Sequence, residues 1–587
     1  MKKQDLIPIV IILALFLAYP QIDRHIIAKY FPAKPKSVPA AVETPPAPSE
    51  PVATALGIPP PETQAVASPA PADADTPSAA PADEARDLAP EVRHTIENAR
   101  VRLVLSSHGA GIVQAAILKY PAEKDSETPV TFDFTDRPAA APIGYPGLAA
   151  RTDFEVESIS DDSISFRKVL TGGLVLTHRI TLVSGYQVRI EDRLDNSGSA
   201  PVALTGYGLQ FGFMENLAGE KDDRTPLLGV DTLTCSEAVQ YWGAKFEKWF
   251  PLGAGIRPVS LPGPDEPPRH VDWAAVKNKY FTQILTPTDG AEQCLVEIER
   301  GAPVRSTFMF LFPRTSVPIA RVTAALRLPG YELPPGQSLA QSATYYVGPK
   351  VYSTLKNNGP HQEDILQLGF WRVIGIWILK IMVWIYEHVW PHNYGVAIIL
   401  LTFLIRVIFW PLNHKSMVST RRMQDVQPLI TALKEKYKDN PQRQQQEMMA
   451  LYKEHKINPM GGCLPMLIQI PVFFALFVVL RGAIELRFSS FLWIADLSTP
   501  ENLFKDVLPF PINILPIFMG VTMWLQQKMT PTSDPQQQKM MMMMPILFTF
   551  MFYSFPSGLS LYWSVNQVLM IFQLAWMKKF HHPPANT

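Results

Sequence analysis

Residues 394–412 read YGVAIILLTFLIRVIFWPL, an almost wholly apolar stretch with one charged residue, Arg406. Its length is close to the about 20 residues that a membrane-spanning helix needs. A guanidinium at membrane depth costs about 2.5–3.5 kcal/mol on insertion scales, so such a residue usually faces protein or water and is a candidate functional group. Alternatively, the side chain snorkels to the interface, because Leu412 lies only roughly 9 Å of helix rise further on. The stretch predicts a membrane helix with Arg406 as its candidate functional residue.

The 587 residues are too many for one ordinary domain, and the composition changes along the chain. Residues 31–90 contain 15 Pro and 16 Ala, which predicts an extended, disordered linker over 23–90. Residues 91–362 have the pattern of a β-rich domain, and residues 393–580 that of apolar helices. The 53 Lys and Arg balance the 53 Asp and Glu, so nothing global indicates direct nucleic-acid function.

The charges between the apolar segments predict the membrane topology. The apolar candidates are residues 6–19, 366–390, 394–412, 464–480, 512–526, 540–555 and 559–577. If all of them crossed, the segment 414–457, with nine Lys or Arg against five Asp or Glu, would lie outside, contrary to the positive-inside rule. We therefore expect residues 363–392, which mix charged residues and Trp with apolar ones, to form an amphipathic helix on the outer surface of the membrane. Six spans remain, beginning with an anchor in 1–22, and both termini, including the tail 581–587, are cytoplasmic.

The region 91–362 alternates apolar and polar residues with a period of two, as over residues 174–181, and short turns separate the segments. This pattern predicts a large antiparallel β-sandwich. The region shows no nucleophile–base pair, metal-ligand cluster or glycine-rich phosphate loop, so we interpret it as a binding or spacing module rather than an enzyme. Three cysteines do not make a disulfide framework, although Cys235 and Cys294 could pair.

The basic segment 414–457 has the pattern of two amphipathic helices. Val426, Leu429, Ile430, Leu433 and Tyr437 are predicted to share one helical face, and Asn440 followed by Pro441 separates the two helices. We expect the apolar faces to pack together and the basic faces to point outward. Such an arm would dock ribosomes, nascent chains or lipid headgroups, or it is a solvated hairpin that only sets the topology. The candidate docking residues are Lys415, Arg421, Arg422, Lys434 and Lys436.

Several motifs, in the same order along the chain, resemble the YidC family of membrane protein insertases. Residues 395–412 are similar to the family's second span, 458–471 to the start of its third, 520–529 to its fourth, and 555–566 to the turn between its fifth and sixth. Lys279-Tyr280-Phe281 and Tyr346-Val-Gly348-Pro349 resemble parts of the periplasmic domain of Gram-negative members. The resemblance is dense over 363–580 and thinner over 91–350.

The resemblance implies an α-helical membrane bundle of six transmembrane helices, five of them forming the insertase core over 393–580, and a periplasmic antiparallel β-sandwich domain. It also implies a cytoplasm-open hydrophilic groove in which Arg406 attracts a client's acidic tail, while the client's apolar segment leaves into lipid along a hydrophobic slide. No enzyme activity, cofactor or metal is expected. The groove residues would be Arg406, Thr402, Gln469, Thr522, Trp563 and Asn566, and the slide residues Ile470, Met544, Met551, Phe555 and Pro556.

The implied location is the bacterial inner membrane. The implied partners are nascent membrane proteins, the Sec translocon and its accessory proteins, the ribosome and signal recognition particle pathway, and membrane lipids. Because the tail is short, ribosome contact would depend on the basic hairpin. Two other interpretations are a solute transporter or channel, which lacks support from an inverted repeat or a second intramembrane charge, and a membrane-anchored periplasmic carbohydrate-binding protein.

Overall fold

The structure is a computed structural model that describes residues 89–149, 152–217, 227–235, 238–241, 257–261, 270–308, 312–316, 318–455, 464–505, 507–508, 511–529 and 535–580. The predicted anchor in 1–22, nearly all of the predicted linker and the predicted tail in 581–587 therefore lie outside the described residues.

The β-rich domain is built on a nine-stranded antiparallel sheet. Across the sheet, the strands are β14 (Ala238–Tyr241), β13 (Gly229–Thr234), β16 (Val271–Lys277), β17 (Phe281–Pro287), β23 (Ser338–Pro349), β9 (Gln187–Asn196), β8 (Leu174–Ser184), β7 (Ser163–Val169) and β6 (Glu155–Ile159).

A second, six-stranded sheet and three smaller sheets complete the domain. The six-stranded sheet runs β15 (Arg257–Leu261), β18 (Gln293–Arg300), β21 (Ile319–Arg327), β11 (Gly208–Gln210) and β5 (Pro142–Ile143), with β12 (Met214–Glu215) also paired to β21. The four-stranded sheet runs β1 (Arg93–Glu97), β2 (Val101–Ser106), β3 (Gly111–Pro121) and β4 (Pro129–Asp133). The two-stranded sheets pair β10 (Val202–Leu204) with β22 (Tyr331–Leu333) and β19 (Val304–Phe308) with β20 (Phe312–Ser316).

Strand β8 shows why these residues form a sheet with one buried face. Leu176 and Ile180 are fully buried, while Thr177 and Arg179 point to the other face. This pattern confirms the predicted period of two. The buried residues of the two largest sheets belong to one apolar core, so the sheets pack face to face. Cys235, which is exposed, and Cys294, which is buried, are both free, so they form no disulfide in this structure.

The helices follow the β-rich domain along the chain. They are α1 (Tyr352–Asn358), α2 (Arg372–His388), α3 (Tyr394–Ile408), α4 (Trp410–Asp425), α5 (Gln427–Lys436), α6 (Pro441–Glu454), α7 (Leu464–Gly482), α8 (Ile514–Met529), α9 (Pro535–Phe552) and α10 (Ser557–Phe580). The Asn440 side chain accepts a hydrogen bond from the Arg443 amide and so caps α6, as the predicted helix boundary requires.

Length and hydropathy alone do not reproduce the predicted number of spans. Among the described helices, Gly369–His388 is the one long and apolar enough to cross a membrane, with a mean hydropathy of 1.5. The apolar parts Tyr394–Ile408, Gln469–Gly482 and Met541–Phe552 are shorter. Helix α2, which we expect to lie on the membrane surface, buries Met382 on one face and exposes Trp377 on another. Its surface location therefore stays a prediction.

The segment 483–513, which we call the outer loop, connects α7 to α8 and contacts the β-rich domain. The guanidinium of Arg487 donates hydrogen bonds to the carbonyls of Pro121 (2.7 Å) and Ala122 (2.9 Å). The Tyr280 hydroxyl donates to Ser498 Oγ at 2.9 Å. The outer loop therefore lies at the end of the helical bundle that faces the β-rich domain.

Residues of the outer loop also form hydrogen bonds with the starts of three helices. Asn393, which caps α3, donates from its side chain to the Ser490 carbonyl at 2.8 Å. The Glu501 carboxylate accepts hydrogen bonds from the first amides of α8, and the Gly558 amide of α10 donates to the Leu497 carbonyl at 2.9 Å. Consequently α3, α8 and α10 all begin at the end of the bundle next to the β-rich domain.

Candidate functional site

Arg406 is buried between helices, with 8% of its side chain exposed. Its Nη2 donates a hydrogen bond to the backbone carbonyl of Asn566 on α10 at 3.2 Å, and its Nε is buried without a hydrogen-bond partner among the described residues. No described carboxylate forms an ion pair with it. The structure thus places a cation inside the bundle with hydrogen-bonding capacity left over, which favours a buried site over the snorkelling alternative.

Two further polar side chains lie in this part of the bundle. The Gln469 amide of α7 donates a short hydrogen bond to the phenol oxygen of Tyr562 on α10. Tyr562 is fully buried and lies one helical turn before Asn566, whose carbonyl accepts the hydrogen bond from Arg406. Helices α3, α7 and α10 therefore contribute one residue each to a polar cluster, defined here as Arg406, Gln469 and Tyr562.

Sequence reasoning included Arg406 and Gln469 but missed Tyr562. The sequence feature that could have indicated Tyr562 is its position one helical turn before Asn566, which places both residues on one face of α10. A tyrosine in an apolar helix, however, is equally typical of core packing. Asn566 itself contributes its backbone carbonyl to Arg406, and the structure gives no hydrogen bond from its side chain to the cluster.

The two threonines predicted for the groove bond to their own helices. Thr402 is buried, and its hydroxyl donates to the Ile398 carbonyl at 2.6 Å. Thr522 is also buried, and its hydroxyl donates to the Phe518 and Met519 carbonyls at 3.0 and 2.9 Å. Back-bonding of this kind is common for threonine inside helices. In this structure neither hydroxyl is directed to Arg406.

Trp563 lies in an aromatic cluster rather than in the polar cluster. Its ring centroid is 5.2 Å from that of Phe473, 5.5 Å from that of Phe552 and 5.7 Å from that of Phe548. The indole Nε1 is buried and has no hydrogen-bond partner among the described residues. Trp563 therefore packs α10 against α7 and α9, and its predicted role as a groove residue stays a prediction.

The predicted slide residues divide into one exposed and four half-buried side chains. Ile470 on α7 is 39% exposed. Met544, Met551, Phe555 and Pro556 are half-buried, and the Phe555 ring packs 5.3 Å from Phe477, centroid to centroid. These residues present an apolar surface of α7 and α9 and of the turn before α10.

The basic hairpin packs only partly as its pattern predicts, because Leu429 of the predicted apolar face is 49% exposed. Val426 and Ile430 are buried, and Met448, Leu451 and Tyr452 of α6 pack against them. Lys434 and Lys436 lie in the last turn of α5, and Arg422 lies in the last turn of α4, while the side chains of Lys415 and Arg421 fall outside the described ones. The predicted docking role is not tested by this arrangement.

The β-rich domain contains a buried polar cluster that solvent does not reach. The His178 ring bonds to the Asp192 carboxylate, and the Tyr145 hydroxyl donates to the same carboxylate at 3.2 Å. All three side chains are at most 3% exposed, and burial raises the pKa of Tyr145 well above its usual value. A substrate has no access to these groups, so we assign them a structural role.

An open groove of about 670 Å³ lies elsewhere, on the outward face of strands β6 to β9. Side chains of both charges line it, among them Arg167, Arg193, Glu191 and Asp195. It is on the β-rich domain rather than in the helical bundle, and its paired charges point to no particular chemistry.

Two family models match adjoining parts of the chain. The YidC periplasmic domain matches residues 93–385, and the 60Kd inner membrane protein matches residues 384–584. The boundary between them falls within α2.

Curated relatives include the protein named membrane protein insertase YidC from Pelobacter propionicus, 44% identical over 316 residues, which are 53% of this chain and 55% of that protein. The protein of the same name from Geotalea daltonii is 35% identical over 430 residues, 73% of each chain. The chain thus spans about half the length of the first relative and nearly three quarters of the second. Among solved structures, the active YidC insertase crystal structure with the first transmembrane domain resolved is 19% identical, with a TM-score of 0.35, covering 84% of this chain and 93% of that one.

Proposed function

Because the chain belongs to the YidC family, whose relatives are named membrane protein insertases, we propose that it inserts integral membrane proteins into the bacterial inner membrane. A client's short hydrophilic tail enters a groove among α3, α7 and α10, and the cation of Arg406 attracts it. The client's apolar segment leaves sideways into lipid. The protein acts as an insertase and chaperone, without enzyme chemistry.

One observation carries this proposal: Arg406 is buried and has no described carboxylate partner. Away from bulk water, opposite charges attract more strongly. A carboxylate at about 4 Å gains about 4 kcal/mol at an effective dielectric constant of about 20, against about 1 kcal/mol in water. The site therefore selects an anionic group that enters it, and a client's acidic tail supplies one.

The polar cluster holds the cation in place. The Asn566 carbonyl fixes one guanidinium nitrogen, and Tyr562 receives its own hydrogen bond from Gln469 on another helix. The buried Arg406 Nε has no hydrogen-bond partner among the described residues, and a client's carboxylate that enters the groove would supply an acceptor for it. In this proposal Tyr562 joins the groove residues that the resemblance implies, whereas Trp563, also implied, packs in the neighbouring aromatic cluster.

The contacts of the outer loop indicate which end of the proposed groove is closed. The loop ties the starts of α3, α8 and α10 to each other and to the β-rich domain, which supports a bundle closed at that end. The opening then lies at the opposite end, where the basic hairpin is attached. A tail drawn inward from the cytoplasm would finish its crossing with help from the membrane potential, worth roughly 2.3 kcal/mol per charge per 100 mV.

The proposed exit follows the apolar surface that Ile470 exposes. Met544, Met551, Phe555 and Pro556 would extend this slide. Burial of the client's apolar segment in lipid then drives the last step, at about 25 cal/mol for each Å² removed from water.

The topology belongs to the proposal as well. Six spans place the β-rich domain in the periplasm, α2 on the outer membrane interface and both termini in the cytoplasm. The hairpin residues Lys415, Arg421, Arg422, Lys434 and Lys436 would meet the ribosome and the signal recognition particle pathway. The Sec translocon and its accessory proteins would meet the bundle and the β-rich domain. The positive-inside rule supports this orientation of the hairpin.

The test is insertion of a single-span client with a short acidic tail into proteoliposomes of the purified chain, read by protease protection of the tail. Wild type should insert, Arg406→Ala should lose roughly tenfold or more, and Arg406→Lys should retain most activity because it keeps the charge. Equal insertion by all three would contradict the electrostatic role of Arg406. Failure of wild type would contradict independent insertion.

A further inference from the structure

Two turns of the outer loop direct large apolar side chains outward. Reciprocal backbone hydrogen bonds between Phe491 and Ile494 (3.0 and 2.9 Å) close the first turn. Reciprocal bonds between Leu503 and Ile512, both 2.9 Å, close the second. The residues at the two tips have exposed fractions of 75% for Leu492, 47% for Trp493, 60% for Phe504 and 80% for Val507. We call these four residues the tip patch.

The backbone at these tips is unfavourable for the residues it carries. Leu492 has φ +51° and Phe504 has φ +58°, in the left-handed region that large L side chains rarely adopt. In water, both residues would combine backbone strain with exposure of a large apolar group. A surrounding apolar phase removes the cost of exposing the apolar side chains, and the strained turns then direct these side chains into that phase.

Each tip lies next to a part of the outer loop that contacts the start of a helix. The Glu501 carboxylate, close to the second tip, accepts hydrogen bonds from the amides of Ile514 and Leu515 at the start of α8. The Phe491 ring packs directly against Gly395 at the start of α3. The tip patch therefore lies next to the starts of α3 and α8.

Helix α8 is too short to match a bilayer without this patch. Its apolar part, residues 514–525, rises about 18 Å, whereas the hydrocarbon core is about 30 Å thick. Its exposed apolar face includes Ile517 (46% exposed) and Val521 (56% exposed). Just before α8, Ile512 pairs with Leu503, which is the neighbour of Phe504 in the tip patch. An inner-membrane protein turns such an apolar surface toward lipid.

We propose that the tip patch inserts into the outer leaflet of the bilayer and contacts lipid acyl chains. Leu492, Phe504 and Val507 enter the hydrocarbon, and Trp493 takes the interfacial position typical of Trp. The patch extends the apolar height of the bundle on its periplasmic side and so fixes the depth at which Arg406 lies. This inference rests on the membrane location in the proposed function.

The test uses single-cysteine variants of the full chain, with Cys235 and Cys463 replaced by Ser and Cys294 left buried. Leu492→Cys and Phe504→Cys are labelled with bimane and reconstituted in phosphatidylglycerol–phosphatidylcholine vesicles. Val521→Cys reports the lipid-facing side of α8, and Asp161→Cys reports an exposed turn of the β-rich domain. Doxyl-labelled lipid should quench positions 492, 504 and 521 by roughly half, as expected for groups within the leaflet, and aqueous iodide should quench only position 161.

Iodide quenching of 492 and 504 with no lipid quenching, while 521 is quenched by lipid, would overturn the inference and leave the proposed function standing. Shielding of 492 and 504 from both quenchers would also overturn it, because a protein partner or a second copy would then cover the patch. Absence of lipid quenching at 521 as well would contradict the membrane placement of the bundle itself. If a labelled variant fails to fold, quenching of the native Trp493 by brominated lipid, taken as the difference from Trp493→Phe, decides the same question.

Discussion

The side-chain amide of Gln469 donates its hydrogen bond to the phenol oxygen of Tyr562, and this bond joins α7 to α10 where Arg406 is buried. The two residues are 93 positions apart in the chain. Their contact links the helix that exposes Ile470 to the helix whose Asn566 carbonyl holds the guanidinium. Tyr562, which we propose positions Arg406, is therefore connected by one hydrogen bond to the helix that carries the proposed exit surface.

Removal of the Tyr562 hydroxyl tests that connection. Tyr562→Phe leaves the half-buried Gln469 amide without its acceptor, which costs about 0.5–1.5 kcal/mol. We expect insertion of an acidic-tail client to fall roughly twofold to tenfold, and insertion of a neutral-tail client to change less. Trp563→Phe is the matched control, because it keeps an aromatic ring in the neighbouring cluster. An equal effect of both variants on the two clients would contradict a positioning role for Tyr562.

Substitution of Gly395 tests the packing of the outer loop against α3. A Cβ at this position would lie 2.2 Å from Phe491 Cγ, so Gly395→Ala forces the loop away from the helix. We expect a loss of about 1–3 kcal/mol in the free energy of unfolding, measured in detergent. Gly482→Ala is the control, because a Cβ there meets nothing within 4 Å. A similar stability for both variants would mean that the loop adapts without cost.

The buried pair of Lys277 and Asp231 tests how the β-rich domain holds the segment that leads to α2. The Lys277 ammonium contacts Asp231 and donates to the Ile365 carbonyl at 2.8 Å, and burial lowers the pKa of Lys277 and raises that of Asp231. Lys277→Met removes the ammonium partner of a buried carboxylate, so we expect a loss of about 3–5 kcal/mol in the free energy of unfolding, measured by thermal unfolding.

The control for this pair is Arg102→Ala, which breaks an exposed pair with Glu97 and should leave the unfolding transition almost unchanged. A Lys277→Met variant as stable as the control would show that the pair contributes little.

Glu485 predicts a pH dependence of stability. It is half-buried near the start of the outer loop, and burial raises its pKa from the usual 4.5 to about 7. The folded state therefore favours the protonated acid, and this contribution to stability is complete below about pH 4.5 and is lost as pH rises through about 7. Glu485→Gln should raise the melting temperature relative to wild type at about pH 8 and leave it unchanged at about pH 4. The exposed control Glu157→Gln should shift neither value, and a Glu485→Gln variant with no gain at the higher pH would be inconsistent with this assignment.

The sequence predicted the features that depend on local pattern. Period-two alternation gave the strands, and Asn440 with Pro441 gave the boundary between α5 and α6. The rarity of a charge in an apolar helix identified Arg406, which is indeed buried. These signals are local because they arise from helix and strand geometry.

The features that the sequence did not predict depend on tertiary contacts. Thr402 was expected to accompany Arg406, but its hydroxyl bonds to its own helix, because the Ile398 carbonyl one turn earlier is always within reach. Trp563 lies among aromatic rings from α7 and α9, and Tyr562 lies beside the cation; neighbouring positions on α10 are separated by about 100° of helix rotation. The contact of Arg487 with Pro121 joins residues 366 positions apart, so no local pattern indicates it.

The most direct test of the proposed role of Arg406 is a double-mutant cycle between this residue and the client's tail. Insertion is measured for matched clients that carry Asp or Asn at the same tail position, each with wild type and with Arg406→Gln. Charge attraction predicts that Arg406→Gln slows insertion of the Asp client by roughly fivefold or more beyond its effect on the Asn client, a coupling of about 1 kcal/mol or more. If Arg406→Gln slows insertion of the two clients equally, the result would contradict charge attraction and would leave Arg406 with a structural or hydrating role.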